Sequence, residues 1–187
     1  MICWSPEPED LQHLNQVCPN IKSLKLLMND KEIYEMAKIM EEMDWEIAQL
    51  EIHHVNSDFV SLGINRLCVT FAHCLVSLKL TILDRLTWHS IQIIADYCQE
   101  LKLFHLDIWD KIIFDNNENL QKNGIFAKLE DLKIKCEDYT DPLPEIVTEF
   151  FLKNEFGALK NLQITAHLSW LNDEKFTNLW SLSNLQR

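Results

Sequence analysis

Two groups of histidines and six cysteines are the side chains of this sequence whose types could do chemistry. His53 and His54 stand together in E-I-H-H-V, and His105 is followed by Asp107 in F-H-L-D-I. Imidazole and carboxylate are common zinc ligands, so both groups invite a metal reading. Each lies in a run with the two-residue alternation of a strand, and by strand phase His53 and His105 are two strands apart. At ~4.8 Å per strand that is about 10 Å, too far for ligands that approach zinc to about 2 Å. The expectation is therefore histidines that are solvated or touch a partner, and no metal.

The cysteines (Cys3, Cys18, Cys68, Cys74, Cys98, Cys136) contain no C-x-x-C pair. Met1 to Asp10 lacks a basic region followed by an apolar run, so no secretory signal is read and the thiols are expected to be reduced. Cys18 and Cys98 read best as small buried hydrophobes. No G-x-S-x-G, P-loop, dinucleotide fingerprint or H-E-x-x-H occurs. A Cys–His pair is the one catalytic arrangement left, and no spacing favours it. The chain is expected to be no enzyme, with no catalytic residues and no cofactor.

The elements that carry these side chains repeat. Leu86 to Ile108 has apolar Ile91, Ile94, Ala95 and Cys98 at helical spacing, then Leu101, Phe104 and Leu106 in an L-x-x-L-x-L run whose end alternates like a half-buried strand. The strand part recurs as Ile21, Leu24, Leu26; Ile47, Leu50, Ile52; Leu75, Leu78, Leu80; Leu129, Leu132, Ile134; and Leu159, Leu162, Ile164, with a partial copy at Leu182 and Leu185. Their central residues are separated by 26, 28, 26, 28, 30 and 23 positions. Repeats of about 20–29 residues are the period of leucine-rich repeats, and the longer ones have room for a helix.

The connecting segments are read as helices of varying strength. Asp10 to Cys18 places Leu11, Leu14, Val17 and Cys18 on one face, with the acids of the N-terminal run favouring the helix dipole. Lys31 to Met43 continues with Ile33, Met36, Ala37, Ile39, Met40 and Met43 behind Asn29 and Asp30 as candidate caps. Asp58 to Cys68 offers Phe59, Leu62, Ile64 and Leu67, with Gly63 weakening the helix. The pattern degrades between Asp107 and Gly124, and restarts from Asp141 to Lys153 with Ile146, Val147, Phe150 and Phe151.

C-P-N-I-K-S-L-K-L at Cys18 to Leu26, together with Leu86 to Ile108, resembles the cysteine-containing leucine-rich repeats of F-box receptor proteins. Cys18 and Cys98 both stand six residues before the central strand residue, where that subfamily often has its cysteine. Cys74 is two residues out of phase, and the repeats of Ile47 and Leu129 have none at that offset. The resemblance implies an α/β leucine-rich-repeat solenoid, or horseshoe, with an inner parallel sheet and outer helices. It also implies a substrate-recognition role in a cullin-based ubiquitin-ligase adaptor, reached through regions outside this chain. L-P-E-I-V-T-E-F-F at Leu143 to Phe151 looks like the opening of an F-box, but it falls in helix phase and reads as a repeat helix. Residues 1–187 are expected to form a single array of about six strand repeats plus a truncated seventh. With no polar cap at either end, the array is expected to be part of a longer one.

Composition narrows the partner. With 17 basic and 29 acidic residues the net charge is -12, and the pI is near 4.9. That opposes nonspecific binding to nucleic acid or anionic membrane, which needs clustered cations. The most apolar window, Leu62 to Leu80, is broken by Arg66 and His73 and is no membrane span. The cytoplasm or nucleus is expected.

Strand alternation then assigns a concave face: Ser23, Lys25, Leu27; Gln49, Glu51, His53; Ser77, Lys79, Thr81; Leu103, His105, Asp107; Asp131, Lys133, Lys135; Asn161, Gln163, Thr165. Four lysines against three acids make this set +1 while the chain is -12. Lys25, Glu51, His53, Lys79, His105, Asp107, Asp131, Lys133, Lys135 and Gln163 are the candidate contacts for a protein partner. Lys79, His105 and Lys133 should form a row suited to a segment of alternating charge with an acidic bias. A non-catalytic interaction scaffold is the expected function. The alternative is a stand-alone enzyme inhibitor or regulatory binding protein of the ribonuclease-inhibitor-like kind.

Overall fold

Helix and strand alternate along the chain where the hydrophobic period changes from three-and-four to two. The computed structural model describes residues 8–27, 32–55, 60–83, 86–109, 112–113, 126–136 and 158–165. In chain order these form α1 (Pro8–Val17), β1 (Ser23–Leu27), α2 (Glu32–Glu41), β2 (Gln49–Val55), α3 (Val60–Thr70), β3 (Ser77–Ile82), β4 (Leu86–Thr87), α4 (Trp88–Tyr97), β5 (Leu103–Ile108), β6 (Ile112–Ile113), β7 (Asp131–Cys136) and β8 (Asn161–Thr165). Asn29, Asp30, Phe59, the Asp141 to Lys153 segment with its F-box-like run, and Leu182 and Leu185 lie outside the described residues.

The chain is an α/β protein with a six-stranded parallel sheet of order β1-β2-β3-β5-β7-β8. Consecutive triplets therefore become neighbouring strands. The central residues pair across the whole sheet: Leu24 with Leu50, Leu50 with Leu78, Leu78 with Phe104, Phe104 with Leu132, and Leu132 with Leu162. One backbone motif recurs at each junction just before the strands. The carbonyl of Lys22 accepts from the N–H groups of Ala48 and Gln49, that of Ala48 from Val76 and Ser77, and that of Val76 from Lys102 and Leu103. Lys102 and Glu130 continue the series onto Glu130 and Asp131, then Lys160 and Asn161. Each strand of the six-stranded sheet after β1 thus enters it already tied to its predecessor, which holds the register in phase.

All three residues of a triplet turn inward in the middle of the sheet. Ile47, Leu50, Ile52, Leu75, Leu78, Leu80, Leu101, Phe104, Leu106, Leu129, Leu132 and Ile134 are buried. They share one core with Leu11 of α1, Ile33, Met36, Ala37 and Met40 of α2, Ile64, Leu67 and Cys68 of α3, and Ile91, Ile94 and Ala95 of α4. α2 and α4 contribute the i, i+3, i+4 stripes that their sequences announce. Thr87 caps α4 by accepting a hydrogen bond from the Ser90 N–H at 3.4 Å. The core thins at the ends of the sheet, where Ile21, Leu162 and Ile164 are only partly buried.

The buried faces expected of α1 and α3 are corrected. Val17 is 59% exposed and Cys18 is exposed, so the buried stripe of α1 is Leu11 with part of Leu14. β1 is the first strand of the sheet, and among the described residues no earlier repeat lies beside it to cover them. Leu62 is 54% exposed, and Cys68 and Phe71 take the buried places on and just after α3. Gly63, expected to weaken its helix, is also a contact residue. A Cβ built there would lie 2.9 Å from both Cγ1 and Cγ2 of Ile33, so α3 approaches α2 more closely than any side chain at 63 allows.

Where the pattern degrades after Asp107, the chain forms a second sheet. Ile112 and Ile113 pair in parallel with Leu86 and Thr87. Two residues are too few for alternation to show, so only the neighbouring repeat reveals them. No described helix is long and apolar enough to cross a membrane.

Candidate binding face

Because side chains alternate along a strand, burying the triplets sends the residues between them to the other side of the sheet. The parallel register stacks these residues into rows that cross all six strands. The middle row runs Lys25, Glu51, Lys79, His105, Lys133, Gln163. One neighbouring row runs Ser23, Gln49, Ser77, Leu103, Asp131, Asn161. The other contains Thr81, Asp107, Lys135 and Thr165, with Leu27 paired to His53 at its start. Adjacent members of a row are about 4.8 Å apart, the spacing of hydrogen-bonded strands. Ten candidate contacts assigned from alternation are thus brought to one face.

The third row is interrupted at β2. Pairing passes from Ile52 with Leu80 to Val55 with Ile82, so three steps on β2 match two on β3. The extra residue at His53 and His54 is a bulge, which bends the strand and re-aims the side chain beside it. His53 turns toward its own strand, its Nε2 lying 2.5 Å from Glu51 Oε1. The same oxygen accepts from Lys25 Nζ at 2.5 Å. Burial pushes the Glu51 carboxyl up, but the bonds from Lys25 and His53 and their charges outweigh it, and the group ends below the ordinary glutamate value.

This lowered value has a signed consequence. A carboxyl depressed in the folded chain contributes stability above its unfolded pKa and loses it as pH falls through the folded one. The stability difference between the native protein and Glu51→Gln is expected to be present at neutral pH and to shrink through the acid range below the ordinary glutamate value. Urea unfolding of both proteins across that range measures it, and a difference independent of pH would show that Glu51 acts by packing.

On the far side of the face His105 Nε2 bonds Asp131 Oδ1 at 2.8 Å, and Asp131 Oδ2 accepts from Asn161 Nδ2 at 3.3 Å. Lys135 Nζ lies 4.0 Å from Asp107 Oδ2. His105 and Asp107 share a strand face without sharing a partner, and no group of three His, Cys, Asp or Glu side chains among the described residues is placed to hold a metal ion. Sequence reasoning did not identify these pairings, because Glu51 and Asp131 are 26 residues from the lysine and histidine they bond. Along the rim, Lys22 pairs with Glu46, Lys128 with Glu100 at 2.5 Å, and Lys160 with Glu130 at 2.5 Å. These exposed pairs contribute little to stability.

The cysteines divide by repeat. Cys98 is buried and its Sγ donates toward the Cys68 carbonyl oxygen of the preceding repeat at 3.6 Å. The neighbouring Cys98 thiol and full burial hold Cys68 well above the ordinary thiol range, so it stays protonated. Cys18 is exposed, against the expectation that it is buried, and among the described residues no cysteine of an earlier repeat stands beside it.

Compared with known proteins, the chain matches no family model, no curated protein and no solved structure.

Proposed function

We propose that the chain is a leucine-rich-repeat solenoid that binds a protein partner, without catalysis, on the sheet face opposite its helices. The observation that carries this reading is the register: the residue type at one sequence offset in each repeat becomes one row across six strands. Such a surface is continuous, polar and varied from repeat to repeat, which is what solenoids use for recognition. The buried Cys98 is compatible with the cysteine-containing subtype, and the substrate-reading part of an F-box-type ubiquitin-ligase adaptor is the role proposed with it.

Proximity labelling in cells with the native chain and two triple variants tests the face. Lys79→Ala, His105→Ala, Lys133→Ala should lose the dominant labelled partner while moving the melting temperature only slightly, since the two lysines are half-buried without an acidic partner and the His105–Asp131 bond is partly solvated. Gln92→Ala, Asp96→Ala, Gln99→Ala on α4 should keep it. Equal loss from both sets overturns the assignment of the face. Recovery of cullin machinery supports the adaptor role, and a single stoichiometric enzyme points to an inhibitor.

A further inference from the structure

We infer that Lys79 and Lys133 are a matched pair of anion-binding positions for a short acidic peptide segment that crosses the strands, its carboxylates three residues apart. This rests on the reading of the sheet face as the partner's side and adds the chemistry of the partner.

The face carries four lysines, but they are not equivalent. Lys25 is bonded to Glu51, and Lys135 faces Asp107. His53 and His105 are likewise on Glu51 and Asp131. Among the described residues, Lys79 and Lys133 have no acidic partner, while Glu51 and Asp131 are hydrogen-bonded and Asp107 keeps only Lys135 at 4.0 Å, its Oδ1 buried with no hydrogen-bond partner. The face therefore offers unpaired positive charge at two points, while the one unpartnered carboxylate oxygen, on Asp107, is buried, on a chain whose net charge is -12.

The two ammonium groups stand in one row with His105 between them. Two strand steps separate their stems by about 9.6 Å. A segment in the polyproline II conformation advances about 3.1 Å per residue with three residues per turn, so side chains at i and i+3 lie on one side about 9.3 Å apart. A fully extended strand would send i and i+3 to opposite sides. Between the lysines the segment would cross β5, where half-buried Leu103, His105 and Asp107 stand side by side, His105 bonded to Asp131 and Asp107 facing Lys135. Two lysines are too few for nucleic acid, whose affinity comes from many neutralised phosphates, and the chain's excess acid repels a long polyanion.

The test is selection of random dodecapeptides displayed on phage against the full chain, followed by anisotropy titrations of the enriched peptides. Enrichment of two acids three residues apart is expected. Their affinity should fall about tenfold with Lys79→Ala plus Lys133→Ala, as loss of two exposed ion pairs implies. It should be kept by Lys79→Arg plus Lys133→Arg and by the α4 triple variant, and should weaken with salt. Thermal melts confirm that each variant is folded. Neutral or basic peptides that still depend on the middle row would overturn the acidic inference and leave the face standing. Peptides that respond only to the α4 variant overturn both. Enrichment of nothing above background overturns the inference, with proximity labelling deciding the face independently.

Discussion

Phe104→Ala is expected to lower stability by about 3–5 kcal/mol, the range for truncating a fully buried aromatic. Phe104 occupies the central position of β5, where the paired strands have Leu78 on one side and Leu132 on the other, and its side chain is fully buried. Its ring stacks on Phe126 with centroids 5.8 Å apart and planes 29° apart, so alanine removes an aromatic pair as well as buried area. Domains are stable by only about 5–15 kcal/mol, so the loss takes a large share of what holds the fold. Phe104→Leu restores the residue type of the other strands and should cost about 1 kcal/mol. Leu162→Ala, at a position only partly buried, should cost less than Phe104→Ala. Urea midpoints decide it, and a loss below about 1 kcal/mol for Phe104→Ala would mean that the inner layer is loosely packed.

Gly63→Val should destabilise by about 3 kcal/mol, the upper end of overpacking costs. Helix propensity works the other way, because glycine in a helix interior costs up to about 1 kcal/mol against alanine. Sterics decide the sign. The new Cβ would meet Cγ1 and Cγ2 of Ile33 at 2.9 Å and the Ile33 carbonyl carbon at 3.0 Å, and a backbone atom cannot rotate away. Val69→Ala on the exposed side of the same helix serves as the control and should change stability by less than about 0.5 kcal/mol. Combining Gly63→Val with Ile33→Ala should cost less than the two changes summed, because alanine at 33 vacates the space that valine needs. Additive losses would remove the close-approach account of the glycine.

The gap between reading and structure is widest in the helices and on the candidate face. Ile91, Ile94, Ala95 and Cys98 are buried as their spacing announces. Leu62 and Val17 have equally good helical spacing and are exposed, because a helical stripe states which residues share a side and not how wide the covered part of that side is. The close approach at Gly63 is invisible in the sequence for a related reason. Propensity is a property of one helix, whereas the distance between α2 and α3 belongs to two.

The sequence by itself determined the six strands of the main sheet, their inward residues and two of the three rows of the face. Alternation of two is a property of the extended backbone, and six triplets at near-constant spacing place like residues beside like. The +1 total of the face follows from that alternation alone. Tertiary structure decided which of those charges remain available. Lys25 and Glu51 lie directly opposite, His105 reaches diagonally to Asp131, and a bulge turns His53 onto Glu51. Each contact joins residues on different strands or on either side of an irregular pairing, and ion pairing falls off within a few ångströms. Lys79 and Lys133 are set apart from the other lysines only once every strand has been laid beside its neighbour.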